Sequence, residues 1–380
     1  MRIKALLMAI VLIFFGPLAN SAALSIDASA AIVMDVESGR VLYGNNIHQR
    51  RPMASLTKKM TALLAAESGR LDEIITIRPE WIAVEASNIW LIPGEMITLR
   101  SLVYGLMLRS GNDAAQTIAY FLAGSLPDFS VQMNNRAQNL GAMNTNFVNP
   151  HGLHHPDHFS SAYDLALIAR AVLKDPFLRV VVRTERFAVR QDAIEAPRIW
   201  HNKNRLLQIK AGADGIKTGW TRAAGHCLAS SATYSGWQLL CIVLNSPDHY
   251  GETLALLQWG FANFRPHLMV QRGLFKGYVA VVGGQPAYIG VVAAHDYWWV
   301  QAKSEESAPL MTVELPTSVR PPLFALQKIG ELLIEFNGEI VGRVPLLSDQ
   351  ASRERSWLRF LARHIVSYAK FVLWPLVHIT

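Results

Sequence analysis

The sequence predicts an α+β domain, then a small all-β domain, then an amphipathic helix, and three observations carry this reading. Strand patterns stand at both ends of residues 24–266 with helical stripes between them, so one sheet must join distant parts of the chain. From about residue 270 the helical period gives way to short strands separated by Gly, Pro or charged turns. Residues 351–380 gather cations on one helical face and apolar side chains on the other. The resulting division is 1–23, 24–266, 267–350 and 351–380, and a length of 380 residues suits about two folded domains.

At the amino terminus, Arg2 and Lys4 precede an apolar run from Ala5 to Phe15, followed by Gly16-Pro17 and the small residues Ala19, Ser21, Ala22 and Ala23. This order is that of a cleavable export signal. The uninterrupted apolar run is only 11 residues long, whereas a permanent span needs about 20. No cysteine lies near the expected cut, so a lipid-anchored start is not supported.

In the mature segment, Ala30–Val36 and Val41–Tyr43 flank Glu37-Ser38-Gly39 as a hairpin. A helix is expected from Ser55 to Ala66 with Leu56, Met60, Leu63 and Leu64 on one stripe. Further helical patterns cover Leu99–Leu122, with Thr98 as a possible cap, and Tyr163–Leu173. Cys227–Thr233 and Trp237–Leu244 alternate around Ser235-Gly236, and Thr253–Phe264 reads as a closing helix. A two-residue turn in that hairpin puts Cys227 and Cys241 out of register and on opposite faces, so two buried thiols are expected rather than a disulfide. Six short strands between Tyr278 and Val344, with Asn337-Gly338 as a hairpin turn, make the second domain.

The formal charge of +7 is unevenly placed. Residues 1–24 hold two cations and no acid, and residues 351–380 carry a net +4, which leaves the body of the chain nearly neutral. A basic groove for nucleic acid is therefore not expected. With 51% hydrophobic residues the chain is not disordered.

Three triplets carry the candidate chemistry. Ser55-Leu56-Thr57-Lys58 opens a helix and puts the hydroxyl and the amine on one face. A desolvated neutral lysine can take a serine proton, and a helix start favours developing negative charge. The motif alone is weak, since Ser367 to Lys370 repeats it in the tail. Its companions change this: Ser110-Gly111-Asn112, at a helix junction before Asp113-Ala114-Ala115, is the only Ser-x-Asn and Lys217-Thr218-Gly219 the only Lys-Thr-Gly in the chain. Ser110 offers a second hydroxyl for proton relay, and Asn112 an amide to a substrate peptide. Lys217 and Thr218 offer a cation and a hydroxyl to a carboxylate, while Gly219 lets an extended substrate approach a strand.

A triple set in this chain order is that of penicillin-binding proteins and β-lactamases. Together with Ala31–Tyr43, Pro52–Leu64, Pro93-Gly94-Glu95, Tyr104–Ala115, Asn149–Leu153, Asp214–Thr221 and Leu256–Phe261, it makes the chain resemble the serine-type D-alanyl-D-alanine carboxypeptidases. These are low-molecular-mass penicillin-binding proteins of bacterial cell-wall metabolism. The resemblance implies an antiparallel sheet between helices, an all-helical lobe and a trailing β domain. It implies that Ser55 attacks the bond between two terminal D-alanines of peptidoglycan stem peptides, with Lys58 as base and Ser110 in the proton relay. It further implies that the amides of Ser55 and Trp220 hold the oxyanion, that Lys217 and Thr218 hold the terminal carboxylate and Asn112 the acyl side, and that β-lactams acylate the same serine. No cofactor is implied, and the expected place is the periplasm or the outer face of the cytoplasmic membrane. Two departures stand out: Trp220 follows Lys-Thr-Gly where relatives commonly have His, and His249 stands where many have Arg.

The segment holding His151, His154, His155 and His158 invites a zinc reading, but only Asp157 could complete it, and no metal is expected. Trp298-Trp299 is expected to pack in the β domain rather than to form a carbohydrate platform. On a helical wheel Arg355, Arg359, Arg363 and Lys370 oppose Trp357, Leu358, Phe360, Leu361, Ile365, Tyr368, Phe371 and Val372. That pattern, over residues 355–376, suits a helix lying on an anionic membrane surface. A β-lactamase and a catalytically weak wall-binding protein are the competing functions; the β domain and tail oppose the first, and the intact triplets oppose the second.

Overall fold

In the computed structural model the described residues are 24–191, 194–209 and 212–355. A five-stranded antiparallel sheet runs in the order Val41–Asn45, Ala30–Asp35, Trp237–Leu244, Gly225–Tyr234, Ala213–Thr221. The two ends of the domain thus meet in its middle, as the strand patterns require. All six residues of Ala30–Asp35 are buried because both sheet faces are covered. Ile32, Met34, Leu240 and Ile242 face the helical side, whereas Ala31, Val33, Leu239 and Val243 face a second core under the closing helix.

The helices are α1 (Lys58–Glu67), α2 (Leu99–Leu108), α3 (Asn112–Ala123), α4 (Leu126–Asn139), α5 (Ala162–Lys174), α6 (Pro176–Arg183), α7 (Leu206–Ile209) and α8 (His249–Asn263). Side-chain caps start several of them: Thr98 accepts from the Ser101 amide, Ser161 from Asp164 and Asp248 from Gly251. The helical patterns expected over Leu99–Leu122 are two helices that meet at the Ser110-Gly111 junction, and the closing helix begins at His249. α4, α6 and the hairpin Arg186–Gln191/Ile194–His201 were not expected from the sequence patterns.

The Gly225–Tyr234/Trp237–Leu244 hairpin pairs Tyr234 with Trp237 and Ser230 with Cys241. That register puts Cys227 in the helical-side core and Cys241 in the opposite core, both as free buried thiols.

The second domain holds a six-stranded sheet in the order Leu310–Glu314, Lys328–Phe336, Glu339–Ser348, Tyr288–Ala293, Phe275–Val281, Ser318–Val319. Asn337 and Gly338 both take positive φ, as the tight hairpin turn demands. Phe264–Val270 pairs with Tyr297–Ala302 to form a ribbon beside the sheet. The Trp298-Trp299 pair divides: Trp299 is buried against Phe336 and lies under the Arg40 guanidinium, 4.2 Å from the ring centroid, while Trp298 is 38% exposed.

The expected boundary at residue 350 needs correction. Ser352 is fully buried and bonds Leu323, and Arg353–Glu354 pairs with Gly284–Gln285, so these residues belong to the β domain and not to a helix. Buried backbone must find partners, and an edge of the domain supplies them. The export signal at 1–23 and the amphipathic helix beyond residue 355 lie outside the described residues. Among the described residues no helix is long and apolar enough to cross a membrane.

Candidate active site

Ser55 lies in a 3-10 turn, Ala54–Thr57, that runs directly into α1. Ala54 has φ +47°, and the Thr57 hydroxyl donates to its carbonyl at 2.8 Å. The 149–153 loop presses on this turn at Gly152 (φ +90°), where a Cβ would stand 2.0 Å from the Ala54 carbonyl oxygen. Only glycine permits that approach.

Lys58 is fully buried and its Nζ touches three oxygens: Ser55 Oγ at 3.0 Å, Asn112 Oδ1 at 2.7 Å and the His151 carbonyl at 2.6 Å. The Asn112 amide is oriented by its Nδ2, which donates to the Glu85 carbonyl at 2.7 Å. A neutral amine has two N–H bonds and one lone pair. Asn112 Oδ1 and the His151 carbonyl can only accept, so they take the two hydrogens and the lone pair is left for the Ser55 hydroxyl. Burial drives the Lys58 pKa well below the ordinary lysine value; Lys217 and Lys203 reinforce the fall and Asp113 opposes it.

Ser110 sits at the break between α2 and α3 with φ +65°, a conformation few non-glycine residues adopt. The break turns Ser110 into the site and starts α3 at Asn112, whose amide donates to the Ser87 carbonyl at 2.7 Å. Asp113 fixes the same loop by accepting from the Ile89 and Leu91 amides at 3.0 and 3.2 Å.

Lys217, Thr218, Gly219 and Trp220 lie on the edge strand Ala213–Thr221, which leaves one backbone edge free for an extended ligand. A Cβ at Gly219 would come within 3.1 Å of the Ser55 amide nitrogen, so glycine keeps the space in front of that N–H open. Lys217 is buried, donates to the Thr218 carbonyl at 3.0 Å, and is lowered to about 7 by burial first and Lys203 second.

A cleft of about 260 Å³ brings Ser55, Ser110, Thr218, Gly219 and Trp220 together, with Ser87, Lys203, His226, His249 and Tyr250 completing its wall. Lys58, Asn112 and Lys217 stand just behind it. The Asn112 side-chain amide is held by Lys58 and Glu85, and a single N–H remains for a ligand. The sequence reading missed the carbonyls of Glu85, Ser87 and His151, because a backbone oxygen has no residue signature. Of the clustered histidines, His151 Nδ1 accepts from the Leu153 amide, while His158 contacts Thr57 and accepts from the Val148 amide. Burial holds both near a pKa of about 3. Among the described residues no group of three or more His, Cys, Asp or Glu is placed to hold a metal.

A serine held against the free lone pair of a buried lysine, on a helix packed against an antiparallel sheet, defines the class of serine hydrolases that work through an ester on the enzyme. Comparison with known proteins places the chain within that class. Residues 18–248 match the family described as D-alanyl-D-alanine carboxypeptidase, and residues 264–354 match the C-terminal domain of penicillin-binding protein 5. The chain belongs to this carboxypeptidase family. It is 28% identical to D-alanyl-D-alanine carboxypeptidase DacF of Bacillus subtilis, over 97% of this chain and 99% of that one. DacD of Salmonella typhimurium is 32% identical over 85% of this chain and 86% of its own length. The crystal structure of penicillin binding protein 5 from Haemophilus influenzae superposes with a TM-score of 0.71 at 31% identity, covering 87% of this chain and 98% of that one. A peptidoglycan synthesis regulatory factor (PBP3) from Streptococcus pneumoniae, at 23% identity and a TM-score of 0.74, shares the fold over 86% of this chain and 99% of its own.

Proposed function

We propose that this protein is a serine D-Ala-D-Ala carboxypeptidase that removes the terminal D-alanine from peptidoglycan stem pentapeptides. The observation that carries the reading is the 3.0 Å approach of Ser55 Oγ to a buried Lys58 whose other two contacts are both acceptors. Ser55 Oγ attacks the carbonyl carbon of the penultimate D-alanine as its proton passes to Lys58 Nζ. The amides of Ser55 and Trp220 stabilise the oxyanion, a contribution of about 3 kcal/mol per donor where such donors have been removed. Collapse breaks the C–N bond, and the leaving amine takes a proton relayed through Lys58 and Ser110. Water then hydrolyses the ester by the reverse relay, releasing the tetrapeptide and restoring the Ser55 hydroxyl.

Thr218 and the buried cation of Lys217 receive the terminal carboxylate, while the edge strand and Asn112 align the acyl side. A penicillin carries an amide carbonyl and a carboxylate in the same relation and is expected to acylate Ser55. The amino-terminal signal pattern supports export to the periplasm, and the amphipathic pattern of residues 355–376 supports docking on the outer face of the cytoplasmic membrane.

Purified protein incubated with a pentapeptide ending in D-Ala-D-Ala should release free D-alanine, and Ser55→Ala should abolish the release. Rapid penicillin turnover without peptide cleavage would instead identify a β-lactamase. Neither product nor adduct would leave only a wall-binding role.

A further inference from the structure

Two of the clustered histidines are buried, and one of them, His158, is joined to the backbone of the nucleophile's own turn. His158 is 3% exposed and Thr57 is fully buried. The Val148 amide donates to His158 Nδ1 at 3.0 Å. Burial first, then His155, His154 and Lys58, holds this ring near a pKa of about 3, so it is neutral and its one proton stands on Nε2. Thr57 Oγ1 lies 2.8 Å from that Nε2 and 2.8 Å from the Ala54 carbonyl oxygen. The carbonyl can only accept, so it takes the Thr57 proton and the Thr57 oxygen accepts from His158. The bonds therefore run in one direction, from the Val148 N–H through imidazole and hydroxyl to the Ala54 carbonyl.

That carbonyl and the Ser55 N–H are the two ends of one planar peptide unit and point in opposite directions. At the carbonyl end Gly152 closes over the group, where a Cβ would stand 2.0 Å from the oxygen and 2.8 Å from Thr57 Oγ1. At the other end Gly219 keeps the space before the N–H open. The covering loop is itself pinned: the Gly152 amide donates to Asn149 Oδ1 at 2.7 Å, and the Thr61 hydroxyl donates to the Pro150 carbonyl at 2.6 Å. Phe147 packs edge-on against the His158 ring, with centroids 5.9 Å apart. A threonine bonding back to the carbonyl three residues earlier is ordinary at a helix start. What sets this one apart is the buried imidazole that feeds it from a separate segment.

We propose that His158 is a positioning residue for the oxyanion hole, acting through Thr57 to orient and polarise the peptide unit that presents the Ser55 N–H; this rests on the acyl-transfer reading above. A carbonyl that accepts a hydrogen bond draws electron density to its oxygen and makes the N–H of the same peptide a stronger donor. In a low-dielectric interior such chains strengthen each bond by about 10–30%. An oxyanion donor is worth about 100-fold to 1000-fold in rate, so a share of about 10–30% corresponds to about twofold to eightfold. The gain appears as charge develops on the substrate oxygen, so it belongs to the chemical step and not to binding.

The test measures penicillin acylation by stopped flow, separating the maximal acylation rate from the dissociation constant of the preceding complex, with thermal melts on every variant. His158→Leu should lower the maximal rate about twofold to eightfold and leave the dissociation constant unchanged. Thr57→Val should lower it at least as far, and the double variant should be no slower than Thr57→Val, because both act along one chain. His158→Gln and Thr57→Ser, which keep the N–H and the hydroxyl, should recover the rate. Infrared difference spectra with a carbonyl-labelled penicillin supply a readout that a change in Tm does not move: the acyl-enzyme carbonyl stretch should shift to higher frequency in the Leu and Val variants and return in the Gln and Ser variants. If His158→Leu does not fold, Thr57→Val against Thr57→Ser makes the same comparison at the middle of the chain. An unshifted band, or rate losses that multiply in the double variant, overturns the relay alone. Absence of any penicillin adduct and of D-alanine release in the wild type overturns the enzyme reading and the relay with it.

Discussion

Asn112→Ala tests how the lone pair of Lys58 is aimed. The substitution removes the 2.7 Å acceptor of Lys58 Nζ and leaves the Glu85 carbonyl without its side-chain donor. In the transition state Lys58 becomes an ammonium, and a hydrogen bond from a charged donor contributes about 1.5–3 kcal/mol. Losing it should slow Ser55 acylation by about 10-fold to 150-fold. Asn112→Asp supplies the sign control. A carboxylate 2.7 Å from Nζ attracts the ammonium by about 6 kcal/mol at an effective dielectric of 20, enough to raise the lysine pKa by up to about four pH units. At neutral pH the aspartate variant should therefore acylate more slowly than the alanine variant and recover as pH rises. The assay is the second-order rate of fluorescent-penicillin acylation from pH 6 to 10, with thermal melts to show that both variants fold. Acylation of Asn112→Ala within threefold of wild type, or an unshifted pH limb in Asn112→Asp, would refute the assignment of the lone pair.

Other outcomes follow from the same geometry. Gly219→Ala puts a methyl 3.1 Å from the Ser55 amide, so acylation should fall by at least tenfold with little change in Tm; unchanged acylation would show that the space before that amide is not used. Lys59 is fully buried with its amine on the Leu165 carbonyl, and burial lowers it to about 7. The unfolded chain binds more protons than the folded one from pH 7 to about 10.5, so stability should rise with pH across that window. Lys59→Met should flatten this rise and increase Tm at pH 7, measured by calorimetry; an unchanged slope would count against a buried amine. Truncation after residue 355 keeps Ser352 and the Arg353–Glu354 strand, so it should preserve Tm and soluble-peptide turnover while releasing the protein from anionic vesicles. Continued sedimentation with vesicles would remove the case for the tail as anchor.

What was legible in the sequence followed period and turn chemistry. The opposite faces of Cys227 and Cys241 came from the parity of a two-residue turn at Ser235-Gly236, and the structure keeps that register. The triplets came from side chains that must meet, and Ser55 and Lys58 do so because a 3-10 turn and a helix start bring i and i+3 together. The edge strand was harder to see: Asp214, Gly215 and Gly219 are poor strand formers, and the segment is a strand because pairing with Gly225–Tyr234 overrides propensity. The junction at Ser110 was legible only from the triplet that stands there, since a positive φ at serine leaves no mark on the hydrophobic period of Leu99–Leu122. The end of the β domain was misplaced because Ser352 and Glu354 look solvated, although one is fully buried and both lie on a paired edge.

Three serines, Ser55, Ser87 and Ser110, share the cleft wall, so the identity of the nucleophile tests the account most directly. Labelled penicillin should be trapped on the protein, the adduct digested, and the modified residue located by mass spectrometry. The geometry predicts one stoichiometric adduct on Ser55, absent in both Ser55→Ala and Lys58→Met. An adduct on Ser110, or an adduct formed at the wild-type rate without Lys58, would contradict it.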